Sequence, residues 1–442
     1  MAAEPSPTAT ISPATDSVAP PRVPLPRAAQ GLGFLISRHA MMRWWHRRLG
    51  DAFVLDLPIF GDCVVISDPA HAKQLFTAGD KVHNVSPNLG RVLGDGSVFS
   101  LEGADHRRRR KLLTPPLHGK RIKTYESIVE EETLAEIATW PQRRRFRSLE
   151  PMMHITLNII LRAVFGAAGK DLDDLRRIIP PLVAAGSLSA TVPPLPRPLR
   201  RVDPNHRLRV HRQEYQRAVG GLITQTRQDP DLDDRDDILA LLVSSRYDDG
   251  SPMSDSDIAD ELITLLAAGH ETTATTLAWA FERVARNPQV LTDLVDEVDR
   301  GGSDFRHAVI HEVQRSRPVI DFAGRSVVAE TLDLGPWRIP RGHNVLVAIS
   351  LLHDDSRQFA HPELFDPGRF EGTTPPAAWL PFGGGTRRCI GAAFATMEMD
   401  VVLRTVLREL TLEPTTERPE AWHSRGVAYA PRRGGRITVH RR

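Results

Sequence analysis

The stretch Phe382–Gly391, FGGGTRRCIG, sets Cys389 in a loop of glycines and arginines just ahead of a small-residue helix pattern, IGAAFATMEMDVVLRTVL. A thiol at a helix N-terminus is favoured as thiolate by the helix dipole and free N–H groups, and Arg387 and Arg388 add positive charge. Gly383, Gly384 and Gly385 let the backbone approach something flat and bulky, and Gly391 does the same just after the cysteine. Three chemistries fit: a nucleophile, a metal-ligating thiolate, or a structural residue. A phosphate-handling nucleophile wants an arginine about six positions on, where this chain has Ala395. A zinc site wants three more ligands, and there is no CxxC and no clustered histidine pair nearby. A single thiolate suffices for a metal that brings its other ligands with it. A second constellation lies in LLAAGHETTATT, where Ala268 and Gly269 precede an adjacent carboxylate and hydroxyl, Glu271 and Thr272. The Thr272 hydroxyl can bond back to the carbonyl of Ala268 four residues earlier, bending the helix into a notch. In HEVQR, Glu312 and Arg315 stand at i and i+3, by themselves an ordinary surface pair of about 0.2–0.5 kcal/mol.

These groups need elements to hold them. A hydrophobic share of 41% and a charged share of 25% over 442 residues allow a large core, in one domain or in two to three smaller ones. The net charge of +2 and the lack of blocks alternating basic and aromatic residues give no support to nucleic-acid binding. Cys63, inside an apolar strand pattern, reads as a small buried hydrophobe. Cys63 and Cys389 make no disulfide framework, which fits a reducing compartment. No run of about 18 apolar residues marks a transmembrane segment. The first thirty positions lack the apolar centre of a signal peptide, so a cytoplasmic protein is expected. Rich in Pro, Ala, Ser and Thr, residues 1–30 are expected to form a flexible tail. A helix is expected around Ile36–Arg48, followed by a hairpin of AFVLDLP and CVVISDP turning at Gly61 and Asp62. DPAHAKQLF reads as a helix with an Asp cap and Pro at its first position. From Tyr125 to about Leu291 most windows are helical, with Glu271 and Thr272 inside a helix capped at Ser254. The Pro-rich stretch Pro180–Arg201 reads as a connection between helices. Strand signals return in SVVAETLDLGPWRIPRGHNVLVAIS. The fold class is mainly α with a minor β component.

Haem iron is one metal held by a single thiolate. Phe382, Gly385, Arg387, Cys389 and Gly391 match the F-x-x-G-x-R-x-C-x-G haem-ligand loop of cytochrome P450s, a family this chain resembles over residues 31–442. The family's other motifs occur in order. AGHETT resembles the oxygen-activation segment, in which Ala268 and Gly269 would make room for dioxygen and Thr272 and Glu271 would organise water. Glu312 and Arg315 resemble the E-x-x-R pair, joined by Arg369 of DPGRF in a structural network behind the haem. ADHRRRRKLL resembles the helix whose His106 and Arg110 contact a haem propionate; Arg325 in FAGRSVV matches a further propionate contact, as does Arg387. The arginines beside His106 read as a docking patch for an acidic electron donor.

The resemblance implies the cytochrome P450 fold, a helix-rich domain plus a small β-rich region enclosing haem b (iron protoporphyrin IX) bound through the Cys389 thiolate. It implies a monooxygenase that takes two electrons and dioxygen, inserts one oxygen atom into substrate and releases the other as water. The chain carries no evident flavin or iron–sulfur module, so electrons are expected from a separate ferredoxin and ferredoxin reductase. A monomer is expected. By family position the pocket would be lined by Phe99, Leu265, Val319, Ile320 and Phe322, side chains that suit a lipophilic small molecule. Asp321 is either an exposed loop residue or a group that orients a polar part of that molecule. Other readings are a peroxide-driven hydroxylase, which tends to lose the acid–alcohol pair, and a non-catalytic haem-thiolate protein that senses or carries a gas. A cysteine hydrolase would bind no haem.

Overall fold

The structure is a computed structural model and describes residues 19–58, 60–85, 89–166, 170–191 and 204–442. Its helices are α1 (Arg27–Leu49), α2 (Pro69–Phe76), α3 (Leu89–Leu93), α4 (Gly103–Leu113), α5 (Glu126–Ile137), α6 (Leu149–Phe165), α7 (Lys170–Thr191), α8 (Pro204–Arg227), α9 (Ile238–Ser244), α10 (Asp255–Ala285), α11 (Pro288–Asp299), α12 (Asp304–Ser316), α13 (Ile349–His353) and α14 (Ala392–Glu409). Its strands are β1 (Ala52–Leu57), β2 (Gly61–Ile66), β3 (Val82–Asn84), β4 (Phe146–Arg147), β5 (Phe322–Val327), β6 (Thr331–Leu334), β7 (Trp337–Pro340), β8 (Asn344–Ala348), β9 (Leu410–Leu412), β10 (Trp422–Ser424), β11 (Tyr429–Pro431), β12 (Arg436–Ile437) and β13 (Val439–Arg441). The expected fold class holds.

The 31-residue α10 is the axis of the helical part. Ser254 caps it by accepting from the Asp257 N–H at 3.1 Å. It packs on α6, α8, α12 and α14, and Ile258, Leu262, Leu266 and Leu277 are buried in one large core with residues of those neighbours. A five-stranded sheet, ordered β1-β2-β8-β5-β3, forms the second part. Its alternation follows the strand period of two: Ala52, Val54, Val64 and Ile66 face one apolar cluster, whereas Phe53, Leu55, Cys63 and Val65 face the other. Cys63 is buried, as expected, and burial pushes its thiol up to about 12. Strands β1 and β2 pair antiparallel, while β2 pairs parallel with the distant β8, Cys63 standing opposite Asn344.

Four expectations are corrected. The first is the boundary of the N-terminal tail. Residues 1–18 lie outside the described ones, but Val23 is buried, the Val54 N–H donates to Pro21 at 2.8 Å, and α1 begins at Arg27. Residues 19–30 therefore belong to the fold. Second, Gly61 and Asp62 open β2 instead of forming the hairpin turn. Third, α7 continues through Pro180 and Pro181 to Thr191. Interior proline costs roughly 3 kcal/mol. The buried stripe of Leu172, Leu175, Ile178, Ile179, Leu182 and Ala185 offsets that cost. The remainder of the expected connection, 192–201, lies outside the described residues. Fourth, Asp321 is buried, which removes the exposed-loop alternative for it. Among the described residues no helix is long and apolar enough to cross a membrane.

Candidate active site

The loop that carries Cys389 closes on itself through the Cys389 N–H, which donates to the Phe382 carbonyl at 2.9 Å. Gly385 takes φ +68°, and a Cβ there would sit 2.1 Å from the Phe76 carbonyl oxygen. A Cβ on Gly384 would sit 2.4 Å from the Phe76 ring. These two glycines thus seat the loop on the end of α2, so their close approach is to protein. Gly391 is different: its φ is −86° and a Cβ there would meet no protein atom within 4 Å. Cys389 itself is accessible, yet desolvation by the surrounding protein raises its thiol, outweighing the Gly391 N–H, Arg388 and Arg110. The expected electrostatic lowering of this thiol is therefore not what the protein alone provides; deprotonation would come with metal binding.

Around this loop basic groups converge. Arg325, on β5, is buried, donates to the Gly384 carbonyl at 3.3 Å and lies over the Phe76 ring. Burial and Arg387 push it down to about 10. Arg110, on α4, donates to the Arg388 carbonyl at 2.6 Å. His106 is buried and pushed down to about 4 by burial, then by Arg387, Arg110 and Arg325. Arg387 pairs with Glu102 and donates to the Leu101 carbonyl at 2.6 Å. Among the described residues Glu102 is thus the one carboxylate paired directly with these three guanidiniums. A doubly anionic group such as the two propionates of haem fits such a set, and the accessible thiol and the uncrowded Gly391 fit its iron and its face.

On α10 the Thr272 hydroxyl donates to the Ala268 carbonyl at 2.6 Å, as the sequence implied. Ala268 is exposed; Gly269 instead faces α6, where a Cβ would come 3.3 Å from Ile160. The Thr156 hydroxyl of α6 donates to the His270 carbonyl at 2.9 Å, a second diversion of the helix ladder next to the Thr272 bond. Glu271 is held by Arg425, whose Nε donates to Oε1 at 2.7 Å. Arg425 sits on the β10–β11 turn, and the Ser187 hydroxyl of α7 ties that turn down by donating to the Arg425 carbonyl at 2.9 Å. Thr273 turns inward toward Glu398 of α14, a fully buried carboxyl held well above its usual range by desolvation.

Glu312 and Arg315 form a buried two-pronged pair with both contacts at 2.7 Å, far from the surface pair their spacing alone suggests. Arg369 Nε stands 3.3 Å from Glu312 Oε2. Arg315 also donates to the carbonyls of His353, Pro362 and Leu364. His353, pushed down to about 3 by burial, accepts from the Leu380 N–H at 3.0 Å and so links the pair to the approach of the Cys389 loop. Removing one member would strand a buried charge.

The candidate pocket residues separate. Phe99 is exposed and Ile320 is half-buried, bridging to Ala428. Leu265 and Val319 are packed in the large core. Phe322, half-buried, stacks on Phe34 at 6.1 Å and joins the cluster under α1. Asp321 is buried with neither carboxylate oxygen hydrogen-bonded, beside His39. The α4 basic run is also partly neutralised: Arg107 pairs with Asp80, Arg108 with Asp249 and Lys111 with Asp248. Sequence reasoning missed Arg425, Glu398, His353 and the buried Arg109–Glu261 pair, since each gains its partner from a distant part of the chain.

A family model described as Cytochrome P450 matches residues 20–435. The chain is 55% identical over 425 residues to cytochrome P450 138 of Mycobacterium tuberculosis, covering 96% of both proteins. It is 38% identical over 434 residues to cytochrome P450 137 of the same species, covering 95% of this chain and 90% of that one. Among solved structures it resembles retinoic acid bound cyanobacterial CYP120A1 with TM-score 0.85 at 21% identity, covering 96% of this chain and 99% of that one.

Proposed function

The chain belongs to the cytochrome P450 family, haem-thiolate monooxygenases, and from that membership we propose that Cys389 is its iron ligand and that a lipophilic small molecule is its substrate. Bound haem supplies the redox centre at which dioxygen takes up two electrons, with one oxygen atom going to substrate and the other to water. The convergence of Arg110, Arg325 and Arg387 on the Cys389 loop, with the neutral ring of His106 beside them, carries this reading, because three guanidiniums offer an anion more positive charge than Glu102 neutralises. These four groups would hold the propionates. Phe382, Gly385 and Gly391 shape the loop: Gly385 by seating it on Phe76, Gly391 by leaving the cofactor face free of a side chain.

Thr272 and Glu271 deliver protons. Because the Thr272 hydroxyl spends its hydrogen on the Ala268 carbonyl, its oxygen remains free to accept from water, and the Glu271 carboxylate, held by Arg425, is the adjacent group that orders such water and relays protons through it. This pair favours the monooxygenase over a peroxide-driven hydroxylase and over a gas-binding protein, neither of which requires it. Phe99, Ile320 and Ala268 offer apolar surface to the substrate. Electrons come from a separate ferredoxin and its reductase. The remaining positive groups at the loop, Arg388 foremost, form the docking side. The protein works as a cytoplasmic monomer.

The reduced, carbon-monoxide-bound protein should show the strongly red-shifted Soret band of thiolate ligation, and Cys389→Ser should abolish it. A band that survives this substitution removes Cys389 as the ligand.

A further inference from the structure

The segment from Val92 to Leu101 is the wall that carries Phe99, and three helices grip it. Asp260 of α10 divides its carboxylate: Oδ2 accepts from the Gly96 N–H at 3.0 Å and Oδ1 accepts from Arg212 Nη2 of α8 at 2.7 Å. Arg212 Nη1 donates to the Val92 carbonyl at 2.8 Å. Arg109 of α4 donates to the Gly96 carbonyl and to Glu261 Oε1, and stands 3.1 Å from Asp257. The Ser97 and Thr264 hydroxyls share a 2.7 Å hydrogen bond. The approach admits no side chain on the wall. A Cβ on Gly94, at φ +104°, would lie 2.0 Å from the Asp260 carboxylate carbon, and one on Gly96 would lie 2.3 Å from Asp257 Oδ1. On its other side the wall meets the Cys389 loop, since Arg387 donates to the Leu101 carbonyl.

The two ion pairs of this clasp differ in solvation. Arg109 and Glu261 are 5% and 0% exposed, so separating them would strand a buried charge. Arg212 and Asp260 are 18% and 15% exposed, so water can take over as they part. Opening the second pair uncouples α8 from the Gly96 end of the wall while the first keeps the wall on α10; Arg212 still donates to the Val92 carbonyl and the Tyr215 hydroxyl of α8 to the Ala259 carbonyl of α10.

We propose that Asp260 is a specificity-determining positioning residue: shared between Gly96 and Arg212, it fixes the spacing between the Phe99 wall and α8 and thereby sets how bulky a molecule passes into and out of the pocket. This rests on the haem-pocket reading above. Asp260→Asn keeps an acceptor for Gly96 and removes the charge facing Arg212; Arg212→Gln removes the arm of α8 and leaves Asp260 on Gly96.

The test is stopped-flow binding of imidazole and 1-phenylimidazole to the haem-loaded protein, read by the Soret shift. Binding and release of 1-phenylimidazole should accelerate about tenfold in either variant, with imidazole changed less than about twofold and the double variant no faster than either single one. Hydrogen exchange over 92–101 should accelerate in both variants before any ligand is added. Unchanged rates for both ligands, or equal acceleration of both, overturn the proposal. A parent protein without the red-shifted carbon-monoxide band would instead sink the haem-thiolate reading. If Asp260→Asn misfolds, Arg212→Gln alone decides the matter.

Discussion

Glu271 stands one residue before Thr272 and is kept in place by a guanidinium from a turn more than 150 residues later in the chain. Its neighbour's hydroxyl is already committed to the Ala268 carbonyl. If the pair moves protons, Thr272→Ala should leave the carbon-monoxide band and ligand-induced spectral shifts unchanged and cut product formed per electron pair by about 10²-fold, the lost electrons appearing as peroxide. Full coupling in that variant would take Thr272 out of the proton path. What the sequence disclosed at this scale were the groups whose partners are near in sequence. The Thr272 bond spans four residues and the Glu312–Arg315 pair spans three, so helix geometry alone brings them together. Arg109–Glu261, Thr273–Glu398 and His353–Leu380 join separate elements, and only the finished packing brings them into contact.

At the scale of elements, local signals succeeded where a cap or a strict period sets the boundary. Ser254 and Asp68 both cap as expected, each accepting from the N–H three residues on. They failed at α7, where burial of one face overrides two prolines, and at α1, whose N-terminal turns are fixed by Gln30 accepting from the Asp56 N–H across to β1. The glycines of the Cys389 loop were visible but their purposes were not, since Phe76 comes from far upstream. This separates two substitutions. Gly385→Ala meets a backbone oxygen at positive φ and should cost at least about 2 kcal/mol with or without haem. Gly391→Ala meets no protein atom and should cost the haem-free protein no more than about 1 kcal/mol, yet reduce haem incorporation. Thermal melts with and without haem check both; a Gly391→Ala protein that loads haem normally would refute the role given to Gly391.

Across the whole molecule, buried histidines set the acid response. Burial pushes His270 and His311 down to about 4 and His353 to about 3. These groups stay neutral in the folded state while the unfolded chain takes up protons below its ordinary histidine value of about 6.5. Stability from this source is therefore complete above pH 6.5 and declines as pH falls toward 4. Glu261, raised to about 7, acts in the opposite sense, because between about 4.5 and 7 the folded state holds the extra proton. With four histidines lowered to about 4 or below, His106 included, against Glu261 and the likewise raised Glu398, the melting temperature should fall between pH 6.5 and 4, and a flat profile in calorimetry would contradict this. The mixed class of the fold was legible from its patterns, but the sheet order was not, since β2 lies between its sequence neighbour β1 and the remote β8. On the ribosome that order imposes a delay. Val64 meets Val345 only after some 280 further residues have been made, on the order of 15–60 s at usual synthesis speeds. For that interval the nascent hairpin offers an open, apolar strand edge, which is where a chaperone would be needed.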